Sequence, residues 1–138
     1  MKQPNKAIIR RWFDQLWNKH NEAVIDELIA PTGHTYGFPR PESVLTGPVE
    51  FKIGYRKFMH AFSGIEFQLD RVSGEGDSVA ATWTATMTHT GGDLGVPPTG
   101  KQVKLSGTSY MDIHDGKITR GWNHVDLDSL NLQLETPA

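Results

Sequence analysis

GKQVKLSGTSYMDIHDGKITRGWNHVD, residues 100–126, reads as two strands joined by a tight turn. Asp115-Gly116 stands between two runs of alternating apolar residues, and both central positions of such a turn want a positive φ, which Asp and Gly tolerate. Side chains on a strand repeat every second residue, so Ile118, Arg120, Trp122, His124 and Asp126 are predicted to share one face. A face that buries a Trp and continues with His and Asp either surfaces or lines a polar spot inside a pocket. The pocket is the favoured expectation.

Working outward, Val79 to Thr90 is a long Thr-rich strand. It carries Val79, Ala81, Trp83, Ala85, Met87 and His89 on one face, with Ala80, Thr82, Thr84, Thr86 and Thr88 on the other. Ile65, Phe67, Leu69 and Val72 mark a strand before it, and Gly74-Glu75-Gly76-Asp77 the turn between. The N-terminal half has helical periodicity instead. Ile8, Ile9, Trp12, Phe13, Leu16 and Trp17 form one stripe over residues 5–18. A short helix follows to Ile29. Gly47-Pro48 opens a third helix, Pro suiting a first helical position, with Phe51, Tyr55, Phe58, Met59 and Phe62 as its aromatic stripe. Between them, His34, Tyr36 and Phe38 lie on an extended edge segment, since Pro39 and Pro41 oppose a central strand. Helices first and an antiparallel meander after make an α+β fold, with the helices packed on a curved sheet as a cone with a pocket between. Residues 1–138 are read as a single domain.

Composition narrows the function. Fourteen Lys and Arg against sixteen Asp and Glu give a formal charge of −2 with no basic block, so neither nucleic acid nor a membrane surface is an expected partner. The chain has no Cys, which excludes disulfides and thiolate chemistry and fits a cytoplasmic location. No phosphate loop, nucleophile elbow or dinucleotide fingerprint is present. The histidines lack a short metal-ligand spacing, so neither metal nor other cofactor is expected.

Phe13-Asp14-Gln15-Leu16-Trp17-Asn18, the Gly47 to Phe62 segment, Gly74 to Ala80, Thr88-His89-Thr90-Gly91, Gly95 to Lys101, Asp115-Gly116-Lys117-Ile118, Trp122 to Asp126 and Gln133-Leu134 together resemble the SnoaL-like polyketide cyclases. The resemblance runs in order over nearly the whole chain. It implies a fold similar to nuclear transport factor 2 and ketosteroid isomerase, usually dimeric or tetrameric. It also implies an intramolecular aldol condensation without metal or cofactor, with a strand-end carboxylate as general base. That carboxylate aligns with Asp126. A functional histidine of the cyclases aligns with Ser109, which leaves the acid partner and the substrate open.

Abstraction of a proton from carbon, in an aldol-type cyclisation or a related isomerisation, needs a base with a pKa near the working pH and a donor for the enolate oxygen. Asp126 is the candidate base; its alternative role is a strand-end carboxylate bonded to backbone N–H groups. His89, His124 and His34 are candidate donors or, equally, structural histidines satisfied locally. His20, His60 and His114 read as surface residues. Trp122, Trp83, Trp17, Phe13, Tyr36, Tyr55, Met59, Phe62 and Tyr110 are the expected walls for a hydrophobic small-molecule substrate. Two other functions stay open: a non-catalytic binding or dimerisation module of the same fold, and epoxide opening, which wants an Asp-Arg-Asp trio of which only Arg120 stands near Asp126. The outward Thr face predicts a homodimer packed sheet to sheet.

Overall fold

The structure is a computed structural model and describes residues 5–38, 42–91, 99–125 and 133. Helix α1 (Asn5–Arg11) runs into a π-helix (Trp12–Asn18), followed by α2 (Ala23–Leu28). Strands β1 (Ile29–Tyr36) and β2 (Val44–Thr46) precede α3 (Gly47–Ala61), and then come β3 (Phe62–Glu75), β4 (Ser78–His89), β5 (Gln102–His114) and β6 (Lys117–Val125). The six strands form one sheet in the order β2-β1-β6-β5-β4-β3. The sheet curves without closing, and the helices pack on its inner face, which is the α+β cone the sequence predicts.

The meander β3 to β6 follows the predicted order. At the last turn Asp115 and Gly116 have φ of 52° and 77°, the positive values that an Asp-Gly pair predicts. The two faces of β4 separate as expected: Val79, Ala81, Trp83, Ala85, Met87 and His89 are all buried, whereas the alternate Ala and Thr positions are exposed or half-buried.

Two expectations are corrected. The segment after α2 is not an edge: β1 lies between β2 and β6, antiparallel to the first and parallel to the second. Pro31 does not prevent this because it falls in a stretch where the register with β6 is lost, between Ile29 and His34, so no ladder hydrogen bond is asked of it. Pro39 and Pro41 lie outside the described residues, as do the Pro97-Pro98 loop and most of the tail from Leu127 to Leu134.

The second correction concerns β6. Ile113 pairs with Ile118 but Asp112 pairs with Arg120, so Thr119 is an extra residue on β6, a β-bulge. The Thr119 hydroxyl donates to the Asp112 carbonyl across it at 3.1 Å. One inserted residue resets the alternation. Ile118 therefore faces inward with Gly121, Asn123 and Val125, while Arg120, Trp122 and His124 turn to the outer face.

The first helix also departs from regular geometry. Lys19 N–H donates to the Asp14 carbonyl at 3.0 Å, an i→i−5 bond. In an α-helix residues five apart lie about 140° apart around the axis. The wider π turn brings i+5 back over i, so Trp12 and Trp17 can both face the sheet. Asn18 ends the segment by bonding both backbone groups of Phe67 on β3, accepting its N–H at 2.6 Å and donating to its carbonyl at 2.9 Å. Since β3 is an edge strand, this amide does there what a further strand would otherwise do. Tyr55 of α3 is buried, and its hydroxyl donates to the Leu16 carbonyl at 3.1 Å. Burial pushes the Tyr55 phenol up to about 12, with Glu22 adding to the shift, so it stays a neutral donor at physiological pH.

Candidate active site in the cone

Trp17 is the centre of the aromatic packing, with ring centroids 5.2 Å from Tyr55, 5.4 Å from Phe67, and 5.5 Å from both Phe38 and Phe58. Fully burying one such ring contributes about 1.5–3 kcal/mol. Between these rings and the inner face of the sheet is a cavity of about 70 Å³. Trp12, Phe13 and Trp17 line its helix side, and Phe38, Phe51 and Phe58 one flank. The sheet contributes Trp83, Met87, Leu105, Met111, Ile118 and Val125. An engineered cavity of about 150 Å³ accepts a benzene. A single ring therefore enters this one only with some displacement of the wall.

The polar part of the lining is a band across four neighbouring strands: Thr35 on β1, Asn123 on β6, Ser109 on β5 and the indole N–H of Trp83 on β4. Ser109 and Asn123 are direct cross-strand partners. Trp83 Nε1 donates to Ser109 Oγ at 3.1 Å, Ser109 Oγ donates to Asn123 Oδ1 at 2.9 Å, and Asn123 Nδ2 donates to the Tyr36 carbonyl at 3.2 Å. These directions are forced. An indole N–H can only donate, so Ser109 accepts it and has its own proton left for Asn123; a backbone carbonyl can only accept, so the amide nitrogen faces Tyr36. Trp83 lies over Gly107, its cross-strand neighbour, where a Cβ would stand 2.5 Å from the ring. Glycine at 107 is thus required for the position of the indole.

The cavity draws together only part of the expected site. Phe13, Trp17 and Trp83 line it. Tyr55, Met59 and Phe62 sit behind the lining: Tyr55 in its bond to Leu16, Met59 half-buried against the core, Phe62 fully buried between Phe58 and His89. Tyr36, Tyr110 and Trp122 are on the outer face, where Tyr36 stacks on Trp122 at 5.9 Å and Tyr110 is 46% exposed. The β6 bulge accounts for Trp122; Tyr110 has the opposite parity to inward Ser109 and Met111 on β5.

The histidines separate in the same way. His124 is exposed on the outer face, edge-on to Tyr110 at 5.9 Å. His34 meets the Thr46 hydroxyl at 3.1 Å on β2. His89 is fully buried, and its Nδ1 accepts the Thr99 backbone N–H at 3.3 Å, which places the ring proton on Nε2. Nε2 has no hydrogen-bond partner among the described residues. His89 packs on Phe62 beyond Met87 and does not line the cavity. Asp126 lies outside the described residues; the residue before it, Val125, lines the cavity. Trp12, Phe38, Phe51, Phe58, Asn123 and Thr35 were not expected in the wall. The helix and aromatic stripes signalled most of the rings, but no local signal marks Asn123, whose inward position depends on the bulge.

Among the described residues, no ionisable side chain lines the cavity, and no group of three or more His, Cys, Asp or Glu is arranged to hold a metal. What is present is an apolar aromatic chamber with a neutral hydrogen-bonding band. Such a lining matches an uncharged, mostly apolar group better than a charged one.

Helices over a curved open sheet with an aromatic chamber between them define a cone-type α+β fold of the SnoaL and nuclear transport factor 2 class. The family model for SnoaL-like polyketide cyclases matches residues 7–134, and the chain belongs to that family. A structure from Jannaschia sp. CCS1, assigned as a SnoaL-like polyketide cyclase, is 22% identical, covers 100% of this chain and 99% of its own, and superposes with a TM-score of 0.88. A protein from Acidithiobacillus ferrooxidans assigned as a polyketide cyclase is 29% identical over 100% of both chains, with a TM-score of 0.81. TsrD from Streptomyces laurentii is 21% identical over 98% of each chain, with a TM-score of 0.82. No curated protein matches the sequence.

Proposed function

We propose that this chain is a polyketide cyclase-type enzyme that performs cofactor-independent carbon-acid chemistry on a hydrophobic carbonyl compound, with Asp126 as general base. The observation that carries the reading is the aromatic cavity with its neutral polar band, bordered by Val125, the residue that leads directly into Asp126. The Asp126 carboxylate takes a proton from a carbon flanked by two carbonyls, and the electron pair passes to a carbonyl oxygen as the enolate. The enolate carbon then bonds to a second carbonyl carbon of the same molecule. That carbonyl's oxygen takes up the displaced pair and receives the proton back from Asp126. A carboxylate set against apolar walls would suit this role, because desolvation disfavours its charged form. The enzyme works in the cytoplasm, which a cysteine-free chain suits, as a homodimer packed through the outer face of the sheet. Half-buried Tyr36 and Trp122 and exposed Tyr110 support that packing. Light scattering that returns a monomer at tens of micromolar rejects the dimer.

Asp126→Asn keeps the shape and removes the charge. The expected result is a rate loss of roughly 10²–10⁴ on an aromatic polyketide bearing a 1,3-dicarbonyl, found by thermal-shift screening, with a melting temperature at pH 7 that holds or rises. A clear drop in melting temperature ends the assignment of Asp126 as base.

A second reading is a ligand-binding module of the same fold without catalysis. It is favoured by the modest cavity volume and by the lack of an ionisable lining residue among those described. Tight binding of a dicarbonyl with no turnover by the wild type decides for it. Epoxide opening loses its support, since Arg120 is exposed on the outer face.

A further inference from the structure

We propose that Asn123 is the oxygen-anchoring residue of the cavity, its free amide N–H donating to an uncharged ligand oxygen, with Ser109 and Trp83 as the positioning residues that hold it. The inference deepens the carbonyl-substrate reading above and rests on it. Asn123 has two N–H donors and one carbonyl oxygen. One N–H is bonded to the Tyr36 carbonyl and the oxygen accepts from Ser109; among the described residues the second N–H has no acceptor. The amide borders the cavity, where its surroundings are aromatic and aliphatic. A donor in such a place strengthens any hydrogen bond it makes, and an acceptor there that lacks a partner is penalised.

The amide cannot swing away. Trp83 fixes Ser109, Ser109 fixes Asn123 Oδ1, and the Tyr36 carbonyl fixes Nδ2, so the free N–H has a set direction before any ligand arrives. The backbone is held too, since Gly37, at φ 78°, packs against the Asn123 carbonyl with no room for a Cβ. Preorganised donors of this kind act on charge that develops on an oxygen without a cost of reorientation. All members of the band are neutral, and no cation lines the cavity among the described residues. A ketone or enol oxygen therefore fits, and a carboxylate is excluded by the desolvation of its charge.

Three single-ring probes matched in shape test this on the full-length protein: acetophenone, ethylbenzene and benzoate. Binding is read from the fluorescence of the tryptophans lining the cavity. For the wild type, benzoate at pH 7 is expected to bind at least about ten-fold more weakly than acetophenone. The bound ketone should also show a carbonyl stretch shifted to lower wavenumber relative to a hydrocarbon solvent. In Asn123→Leu the affinity for acetophenone relative to ethylbenzene should fall about three- to ten-fold and the carbonyl shift should vanish. Asn123→Ala, which also removes the amide donors, gives the same reading should the leucine variant not fold, the ketone-to-hydrocarbon ratio correcting for the added space. If both neutral probes bind but the ratio and the carbonyl shift are unchanged in the variants, or if benzoate binds as well as acetophenone, the anchor is not Asn123. If neither neutral probe binds the wild type, the carbonyl-substrate reading of the cavity falls and the anchor with it.

Discussion

The two faces of the sheet differ in what they carry, although each strand contributes to both. Toward the helices the strands present Trp83, Met87, Leu105 and Met111, with the neutral band of Thr35, Ser109 and Asn123. Away from them they present His34, Tyr36, Tyr110, Arg120, Trp122 and His124, nearly all the groups that a reader of the sequence would choose for chemistry. The contrast teaches that residue type is a poor guide to which residues line the cavity here and that strand parity decides. One inserted residue, Thr119, moves a Trp and a His from the expected pocket to the surface, and it moves an Asn into the cavity.

The largest expected difference between the faces is in their tryptophans. Trp17→Ala removes the ring around which four others are packed and should cost about 3–5 kcal/mol in urea denaturation. Trp122→Ala loses a stacked but half-buried ring and should cost about 1 kcal/mol or less in a dilute sample. Equal costs would break the comparison and mean that the outer face is covered in solution, in which case the Trp122 cost must grow with protein concentration. Next in size is Gly107→Ala. Its Cβ would fall 2.5 Å from the Trp83 ring and 2.6 Å from the His124 carbonyl oxygen, and overpacking of this kind costs about 1–3 kcal/mol. Near-ultraviolet circular dichroism should report a displaced Trp83; an unchanged spectrum with unchanged stability would show that the indole is not held there.

The fold was legible because its signals are local and repeated. The alternation of β4, the Asp-Gly turn and the Gly47-Pro48 helix start each read correctly from a few residues. The cavity rings Phe13, Trp17 and Trp83 were legible as parts of apolar stripes. What could not be read is set by non-local events. The Thr119 bulge has no sequence mark, yet it inverts every residue after it on β6. The parallel pairing of β1 with β6 joins segments far apart in the chain, and only that pairing brings the Tyr36 carbonyl to the Asn123 amide. The π-helix follows from the need to turn both Trp12 and Trp17 toward the sheet, a tertiary demand that overrides the regular helical period. Ser109 drew notice only as a departure from the cyclases; its part in a hydrogen-bonded chain required its partners.

The smallest expected effect tests the support of the inner face. Tyr55 and the Leu16 carbonyl lie behind the Trp17 ring, and Tyr55→Phe leaves that buried carbonyl without its donor, at a cost of about 1 kcal/mol at pH 7. The cost should then depend on pH in a definite direction. The folded phenol, pushed up to about 12 from an ordinary value of 10.0, must be neutral to remain buried and to donate, whereas the unfolded one ionises at its ordinary value. The wild type's advantage over the phenylalanine variant is therefore fully present below pH 10 and shrinks as pH rises from 10 toward 12. Urea midpoints of the two proteins measured at pH 7, 10 and 11 should converge. Parallel curves would mean that Tyr55 ionises alike in both states, and that the wall behind Trp17 is open to water rather than sealed by that hydrogen bond.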